Sequence, residues 1–596
     1  MGVLDNPSKV DTVQDRGEQQ YRLDHPNLTE REAIAAGSGG SKQVIVEVGQ
    51  KLDKAHQTSS LFSTENSFIP RARFDEIITP EAVLEIIPHL RGFEKESPAR
   101  HNELAQDIYY GNGSQGPCRR LLGVLLGIDR AEDLKQHMDD QVSDDCLPML
   151  MKPGTDECIL HCRLHGSSHS FINQYPRPET RKHFLQWSRR LTPTYVTYKR
   201  DHGHMHYVLE QGDPFPMTMP DASPVVNANA AVCQGGFAEV IPARIDVSGG
   251  NFEHHTFLNL DQLFALKRLR HEFGDDHEKH RKVFELEVQS LLYADGRAGR
   301  HGGKEVHLIP LLATFEVCDP QTDMRTYYLL FDWAEGNLKD FWNSETSKSI
   351  IRNMAKLPWL AEQLYELARA LNIMHNDRQH KMPSDKTDSN LYCRHGDIKP
   401  SNFLVFPNPD KKKPLEKLFV IGDFGLGRLH SKMSRSKQDP KDIATTATYR
   451  PPEFDLVGGK VSPRTDLFSM GCVFLELITW FFYGYEGVEE FSTERLEPST
   501  TYDGFTEDTF FTLSSDRRTA ELKDKVKNWI ETRLRGHALC SEYLYSMLDI
   551  IENGMLHPDS EKRLTSEKLK NKLLSLCKSG KQSRSFYETH WTKTSQ

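Results

Sequence analysis

Cysteine is scarce in this chain, with ten in 596 residues. That is too few to frame a disulfide scaffold over such a length, so reduced and mostly buried thiols are expected, and with them a cytosolic or nuclear setting. An excess of positive charge is lacking too. Lys and Arg number 75 against 85 Asp and Glu, a net charge of −10, so no global basic field calls for nucleic acid. No apolar run reads as a membrane span. The opening residues, MGVLDNPSKVDTVQDRGEQQ, lack the apolar core of a signal peptide. Met1-Gly2 hints at myristoylation, but Asn6 stands where that motif wants Ser or Thr. The N-terminus therefore reads as a plain soluble tail. No internal repeats are visible.

A chain of this length exceeds a single core and divides into domains. Residues 1–70 are polar with little periodicity, and GSGGSK at 37–42 is linker-like. They read as a disordered or loosely structured tail. Residues 71–215 read as a mainly helical region. In ITPEAVLEIIPHLRGF (78–93), Thr79 and Pro80 mark a helix start and the apolar residues recur at helical spacing. CRRLLGVLLGI (118–128) is a compact apolar segment, KHFLQWSRRL (182–191) an amphipathic helix, and HYVLEQGDPFPM (206–217) ends in a Pro-rich exit. From 225 to 578 strand-like runs (PVVNANAAV, FALKRL, YYLLFDW) precede long helical ones (PWLAEQLYELARALNIMH, DLFSMGCVFLELITWFF, EYLYSMLDIIENGML). Strands first and helices later imply a small sheet domain joined to a larger helical one. Residues 579–596 read as a tail.

The chemistry concentrates in RHGDIKPSNFLVF (394–406). Transfer of a phosphoryl group from ATP needs a positioned acceptor hydroxyl, divalent metal on the phosphates and cationic cover for the leaving oxygens. Asp397 can accept the hydroxyl proton, Lys399 can lie beside the transferring phosphate, and Asn402 can offer Mg²⁺ a neutral oxygen. FLVF then leaves the loop as a strand. The bland alternative for Asp397 is a turn residue. A basic, turn-rich connection (407–416) follows, in which DKKK reads as a solvated hairpin tip, and then a second apolar strand, LFVI, ending in GDFGLG (422–427).

The H-x-D-x-K-x-x-N loop followed by Asp-Phe-Gly resembles the eukaryotic-type Ser/Thr protein kinase family. With its helical N-terminal region, the chain resembles kinase-domain proteins of filamentous fungi. The fold this implies is α+β and two-lobed: a small antiparallel β lobe of five strands plus one helix, then a larger mainly helical lobe, with ATP in the cleft. The resemblance makes Asp423 a second Mg²⁺ ligand beside Asn402. FALKRL (264–269) resembles the V-A-I-K strand, so Lys267 is expected to contact the α- and β-phosphates and to need a carboxylate on the next helix. Glu287 fits the E-V-x-x-L pattern there, with Glu285 the fallback. YYLLFDWAEGNL resembles the strand and hinge that take adenine, with Phe331 at the gatekeeper position and Asp332, Trp333 and Ala334 in the hinge. Phe331 can equally be core packing. Val240, Ala265 and Leu404 are expected to line the nucleotide pocket. The glycine loop departs from G-x-G-x-x-G-x-V: in CQGGFAEV (233–240), Gly235 takes the second glycine position, Cys233 and Ala238 replace the first and third, and Gly236 adds flexibility. The stretch 241–263 reads as an expanded hairpin.

TATYRPPEF (446–454) resembles the end of a kinase activation segment, with Pro451 where the family has Ala. Asp466 is expected to brace the catalytic loop, and Arg563 to pair with Glu453. Gly396 stands where the family carries an Arg that pairs with a phosphorylated activation segment. Activity independent of phosphate on Ser431, Ser434, Ser436 or Thr445 is therefore expected. Lys399 and Thr446 imply Ser/Thr specificity. An unknown protein substrate and a protein partner for the N-terminal region complete the picture, with a pseudokinase or scaffold as the alternative to an active enzyme. Finally, CILHCRLH puts Cys158, His161, Cys162 and His165 on one face of a helix. Four ligands strung along one helix cannot readily surround one ion, so a Zn²⁺ site is not expected there. HGHMH (202–206) reads as a polar strand face, and residues 376–390 as an exposed insertion.

Overall fold

The computed structural model describes residues 43–58, 67–152, 158–199, 205–218, 233–245, 250–253, 263–270, 277–300, 307–318, 324–375, 394–423, 448–499, 504 and 506–590, apart from short gaps within these ranges. The chain forms two compact units, Met1–Thr194 with Gly212–Phe215, and Tyr195–Gln211 with Pro216–Gln596.

The first unit is built from short helices. Pro80–Ile86 begins as its sequence dictates: the Thr79 hydroxyl accepts the Ala82 N–H at 3.2 Å, and Pro80 supplies the preset first turn. Its Val83 and Ile86 are buried with Leu121, Leu125, Phe184 and Trp187 from the helices Arg119–Gly127 and Pro178–Arg190. The helix Gln43–Lys54 falls inside the stretch expected to be loose, and it buries Val48 and Leu52 in the same core. Within 158–165 the helix expected from i, i+3, i+4, i+7 spacing does not form. Leu160–His161 is a strand paired antiparallel with Leu150–Met151.

The second unit opens with a curled sheet. Its order is Met205–Glu210, Ala313–Cys318, Arg325–Asp332, Leu263–Leu269, Ala238–Ile245, Met217–Thr218, with Cys233–Gln234 also on Ala238–Ile245. All pairs are antiparallel except the first, where Met205–Glu210 runs parallel to Ala313–Cys318. The sheet is thus larger than the five antiparallel strands expected, and it recruits a segment assigned from sequence to the helical region. The strand Gly250–Glu253, inside the presumed hairpin, pairs instead with Val196–Lys199. The helix His277–Arg300 lays Phe284, Val288 and Leu291 into the core, where Phe284 stacks on Tyr327 at 4.5 Å.

The larger lobe is helical, around Leu357–His375, Arg464–Glu494, Glu542–Asp549 and Ser566–Gln582. Arg464–Glu494 is long and apolar enough to cross a membrane by length and composition, contrary to the reading of the sequence. Most of its side chains are buried in the protein core, and Gly484 (φ +75°) breaks it into two helical segments. Each fully buried Leu or Phe there contributes roughly 1.5–3 kcal/mol. The helix Ser566–Gln582 runs past residue 578, and Tyr587 is buried, so ordered packing continues into the presumed tail.

Candidate active site

The sheet register assembles one wall of the site. In Leu263–Leu269, Ala265 faces Pro242 and Phe331, while Lys267 faces Val240 and Leu329. Directly paired residues share a face, as do residues two apart on a strand. Val240, Ala265, Lys267 and Phe331 therefore line one face of the sheet. Val240, Ala265 and Phe331 are only partly buried, as residues at a cleft would be. Asp332 alternates to the opposite face. It is buried, and burial pushes its carboxyl up to about 8. Its side chain is therefore separate from the face carrying Lys267. Trp333 donates its N–H to Leu263 O at 3.4 Å, and Ala334 packs at the core edge.

Lys267 is the junction of the site. Its Nζ lies 2.6 Å from Glu287 Oε1 and 2.7 Å from Asp423 Oδ1. Burial alone would push the ammonium pKa down, but the charges of Asp423 and Glu287 outweigh it and hold it above the usual lysine value. Glu285 instead points outward and pairs with Arg281 at 2.8 Å. Helical spacing explains the division, since residues two apart lie on different faces.

The second wall comes from the hairpin Phe403–Phe406 and Leu418–Ile421. Phe403 pairs with Ile421, and the Gly422 N–H donates to Asn402 O at 2.9 Å, so Asn402 and Asp423 emerge at the same end of the hairpin. Asn402 Nδ2 donates to Asp397 O at 2.8 Å and to Asp397 Oδ2 at 3.1 Å. Lys399 Nζ lies 2.8 Å from Asp397 Oδ2. The three polar residues of the loop thus share one carboxylate. Leu404 is partly buried on the same hairpin. Asp423 has φ +56°, a left-handed conformation that Asp tolerates better than most residues, and its side chain is half exposed.

Asp466, buried at the start of its helix, holds the loop from beneath. It accepts the backbone N–H groups of His395 (2.8 Å) and Gly396 (2.9 Å), and His375 Nε2 donates to it at 2.8 Å. Burial would raise its pKa, but these donors, His375 first, outweigh burial and leave the carboxyl below its ordinary value. Gly396 has φ +82°, so glycine suits this position on backbone grounds as well as by lacking a side chain. His395 Nε2 lies 2.9 Å from Gly422 O, and its Nδ1 accepts the Asp397 N–H at 3.3 Å. A neutral ring protonated at Nε2 satisfies both and ties the two walls together. His395 is the histidine of the H-x-D-x-K-x-x-N pattern, though the sequence gave it no role of its own; His375 went unassigned, because its partner Asp466 lies 91 residues away and leaves no local signal. Further out, Arg563 and Glu453 form a buried pair through two bonds of 2.8 and 3.1 Å.

Gly235 and Gly236 lie outside the described residues, as do Phe424, the four candidate phosphorylation positions, Thr446 and residues 376–390.

Residues 259–574, more than half of the chain, match the protein kinase domain family. The chain belongs to that family, whose members use ATP and Mg²⁺. Curated relatives share a shorter stretch. Cyclin-dependent kinase E-1 of Arabidopsis thaliana is 27% identical over 152 residues, 26% of this chain and 28% of that protein. Serine/threonine-protein kinase ssn3 of Aspergillus clavatus is 26% identical over 152 residues, 26% of this chain and 30% of its own length. Its namesake in Yarrowia lipolytica is 28% identical over 153 residues, 25% and 31% of the two chains. The chain spans less than a third of the length of each of these relatives.

Proposed function

We propose that this chain is a serine/threonine protein kinase, transferring the γ-phosphoryl group of ATP to hydroxyl groups on a protein substrate. The observation that supports it most is the convergence of Lys267 on Glu287 and Asp423, beside a loop in which Lys399 and Asn402 both bond Asp397. The substrate hydroxyl gives its proton to the Asp397 carboxylate as its oxygen bonds to phosphorus and the bond to the ADP oxygen breaks. Lys399 neutralises charge on the moving phosphoryl group. Lys267, aimed by Glu287, holds the α- and β-phosphates. Adenine lies against Val240, Ala265 and Leu404, with Phe331 at the back and the 332–334 backbone at its edge. Gly235 and Gly236 cover the phosphates. The half-exposed carboxylate of Asp423 and the amide oxygen of Asn402 at the adjoining hairpin end form a hard, oxygen-only donor pair, which fits Mg²⁺. Bound there, Mg²⁺ would offset the charge of the phosphates.

Serine/threonine specificity rests on Lys399 and on the names of the relatives. A protein as substrate follows from the family. A cytoplasmic or nuclear site of action suits the eight free cysteines among the described residues. With Gly396 in place of an arginine, activity should not depend on phosphate in the activation segment. Mg²⁺-dependent transfer of labelled phosphate to itself and to a generic basic protein tests the reading. Wild type should transfer and Asp397→Asn should not. A folded wild type that transfers nothing to a range of acceptors would leave a scaffold, and nucleotide-induced thermal stabilisation would then separate an ATP-binding one from an empty one. Replacing Ser431, Ser434, Ser436 and Thr445 together by Ala should leave activity standing.

A further inference from the structure

We propose that Cys146, Cys162, His165 and His169 form a structural Zn²⁺ site in the first unit, independent of the kinase chemistry. The four residues come from separate pieces of chain. Cys146 ends the turn Asp144–Cys146, Cys162 follows the strand Leu160–His161, His165 lies in the next turn, and His169 precedes the helix Ser170–Asn173. Their ligand atoms lie within 4.8 Å of one another. Cys162 Sγ is 3.2 Å from His165 Nδ1 and 3.2 Å from His169 Nε2, and Cys146 Sγ is 3.7 Å from His165 Nδ1. Around a tetrahedral Zn²⁺ with bonds of about 2.3 Å to sulfur and about 2.0–2.1 Å to nitrogen, an S···N edge is about 3.5 Å. The observed separations bracket that edge.

The surroundings are set for a cation. His169 Nδ1 lies 3.1 Å from Asp140 O, so this nitrogen carries the proton and Nε2 is left as the ligand. The Asp140 carboxylate, 3.9 Å from the same ring nitrogen, is fixed in turn by Ser170 Oγ (2.8 Å) and the Phe171 N–H (3.0 Å). The His165 N–H donates to Cys162 Sγ at 3.3 Å and fixes the position of that sulfur. Cys146 is held by its own turn, because the Asp144 carboxylate accepts the N–H groups of Arg120 (2.9 Å) and Leu121 (2.9 Å). Two thiolates and two neutral imidazoles balance a 2+ charge. Three of the four residues are buried, and His165 opens to solvent as a path of entry. The local secondary structure is slight: two-residue strands and a four-residue helix. A metal would cross-link this stretch where little regular structure does.

This set overturns the helix-face arrangement considered from the sequence. Only Cys162 and His165 belong to both; Cys158 and His161 fall outside the cluster. The residues follow the order Cys-x15-Cys-x2-His-x3-His.

The test uses the full chain, purified without chelator, with metal content read by plasma mass spectrometry. About one zinc per chain is expected, in keeping with a closed four-ligand site. Cys162→Ser and His169→Ala should each lose the metal, and Cys158→Ser should keep it. Should the losing variants fail to fold, Co²⁺ exchange into wild type decides alone: thiolate-to-Co²⁺ charge-transfer bands with intense visible d–d bands indicate a tetrahedral site with sulfur ligands. Three results would overturn the proposal. One is wild type that holds no zinc after loading with zinc chloride and desalting. Another is a Cys146–Cys162 disulfide in non-reducing peptide mapping. The third is full zinc content in the folded Cys146→Ser/Cys162→Ser double variant.

Discussion

Replacing Asp466 by Ala should both destabilise the kinase domain and disable it. The carboxylate accepts three hydrogen bonds at 2.8–2.9 Å, two from backbone N–H groups next to Asp397 and one from His375. Removing it leaves donors of a buried loop without their acceptor. Each orphaned donor costs about 1–3 kcal/mol; with all three near the lower end of that range, the total is about 4 kcal/mol. With an unfolding entropy of about 2.1 cal/mol/K per residue over the kinase match, 259–574, that corresponds to a fall in Tm of about 6 °C. Activity should fall further than stability explains. Without Asp466 the His395–Gly396 backbone is free to shift, and misplacement by about 1 Å can cost roughly 100-fold in rate. Asp466→Asn should fall between, since its amide oxygen can keep the His395 N–H and His375 while its NH₂ group meets the Gly396 N–H, or the reverse. Asp397→Asn is the control: activity lost, with a much smaller fall in Tm than Asp466→Ala, because an amide oxygen can still accept from Lys399 Nζ and Asn402 Nδ2. The assays are calorimetry and labelled phosphate transfer. An Asp466→Ala protein melting within about 1 °C of wild type would refute the assignment of a buried, fully engaged brace.

Glu287→Gln should lower kcat/KM roughly 100-fold by letting Lys267 drift toward Asp423, while Glu285→Gln, which breaks only the exposed pair with Arg281, should change it less than about twofold; steady-state kinetics of the two variants separates them. Gly396→Arg forces an L residue into φ +82° and should cost about 1–2 kcal/mol in denaturant unfolding. His307 is buried with Nδ1 2.7 Å from Phe419 O, and burial lowers its pKa to about 4. The unfolded chain therefore takes up this proton first, near pH 6.5, so the stabilisation present above that pH is lost as pH falls toward 4, at up to about 1.4 kcal/mol per pH unit. Denaturant midpoints measured at pH 7 and pH 5 should fall closer together in His307→Gln than in wild type.

What could be read from the sequence and what could not follow from the range of the interactions. Asp397, Lys399 and Asn402 lie within six residues, so one loop places them and their spacing is visible locally. Lys267, Glu287 and Asp423 are spread over 156 residues, yet each sits beside its own apolar strand or helix pattern, and the sheet register then brings them together. Where no such pattern marks the element, reading failed. Met205–Glu210 carries mixed polarity because it is an edge strand, and its partner is the distant Ala313–Cys318. The helix Gln43–Lys54 was hidden by the polar stretch around it, although Val48 and Leu52 lie at i and i+4. At 158–165 helical periodicity misled outright: Cys158, Cys162 and Leu160 are all buried although the segment is strand and turn. Their burial at i, i+2 and i+4, with Ile159 and His161 only partly buried between them, is the alternation of a strand, but an apolar Ile159 on the outer face blurs that alternation in the sequence. The same error concealed Cys146 and His169. A tetrahedral site draws its ligands from several directions, so a search confined to one helix face admits candidates that cannot close around an ion and passes over those that can.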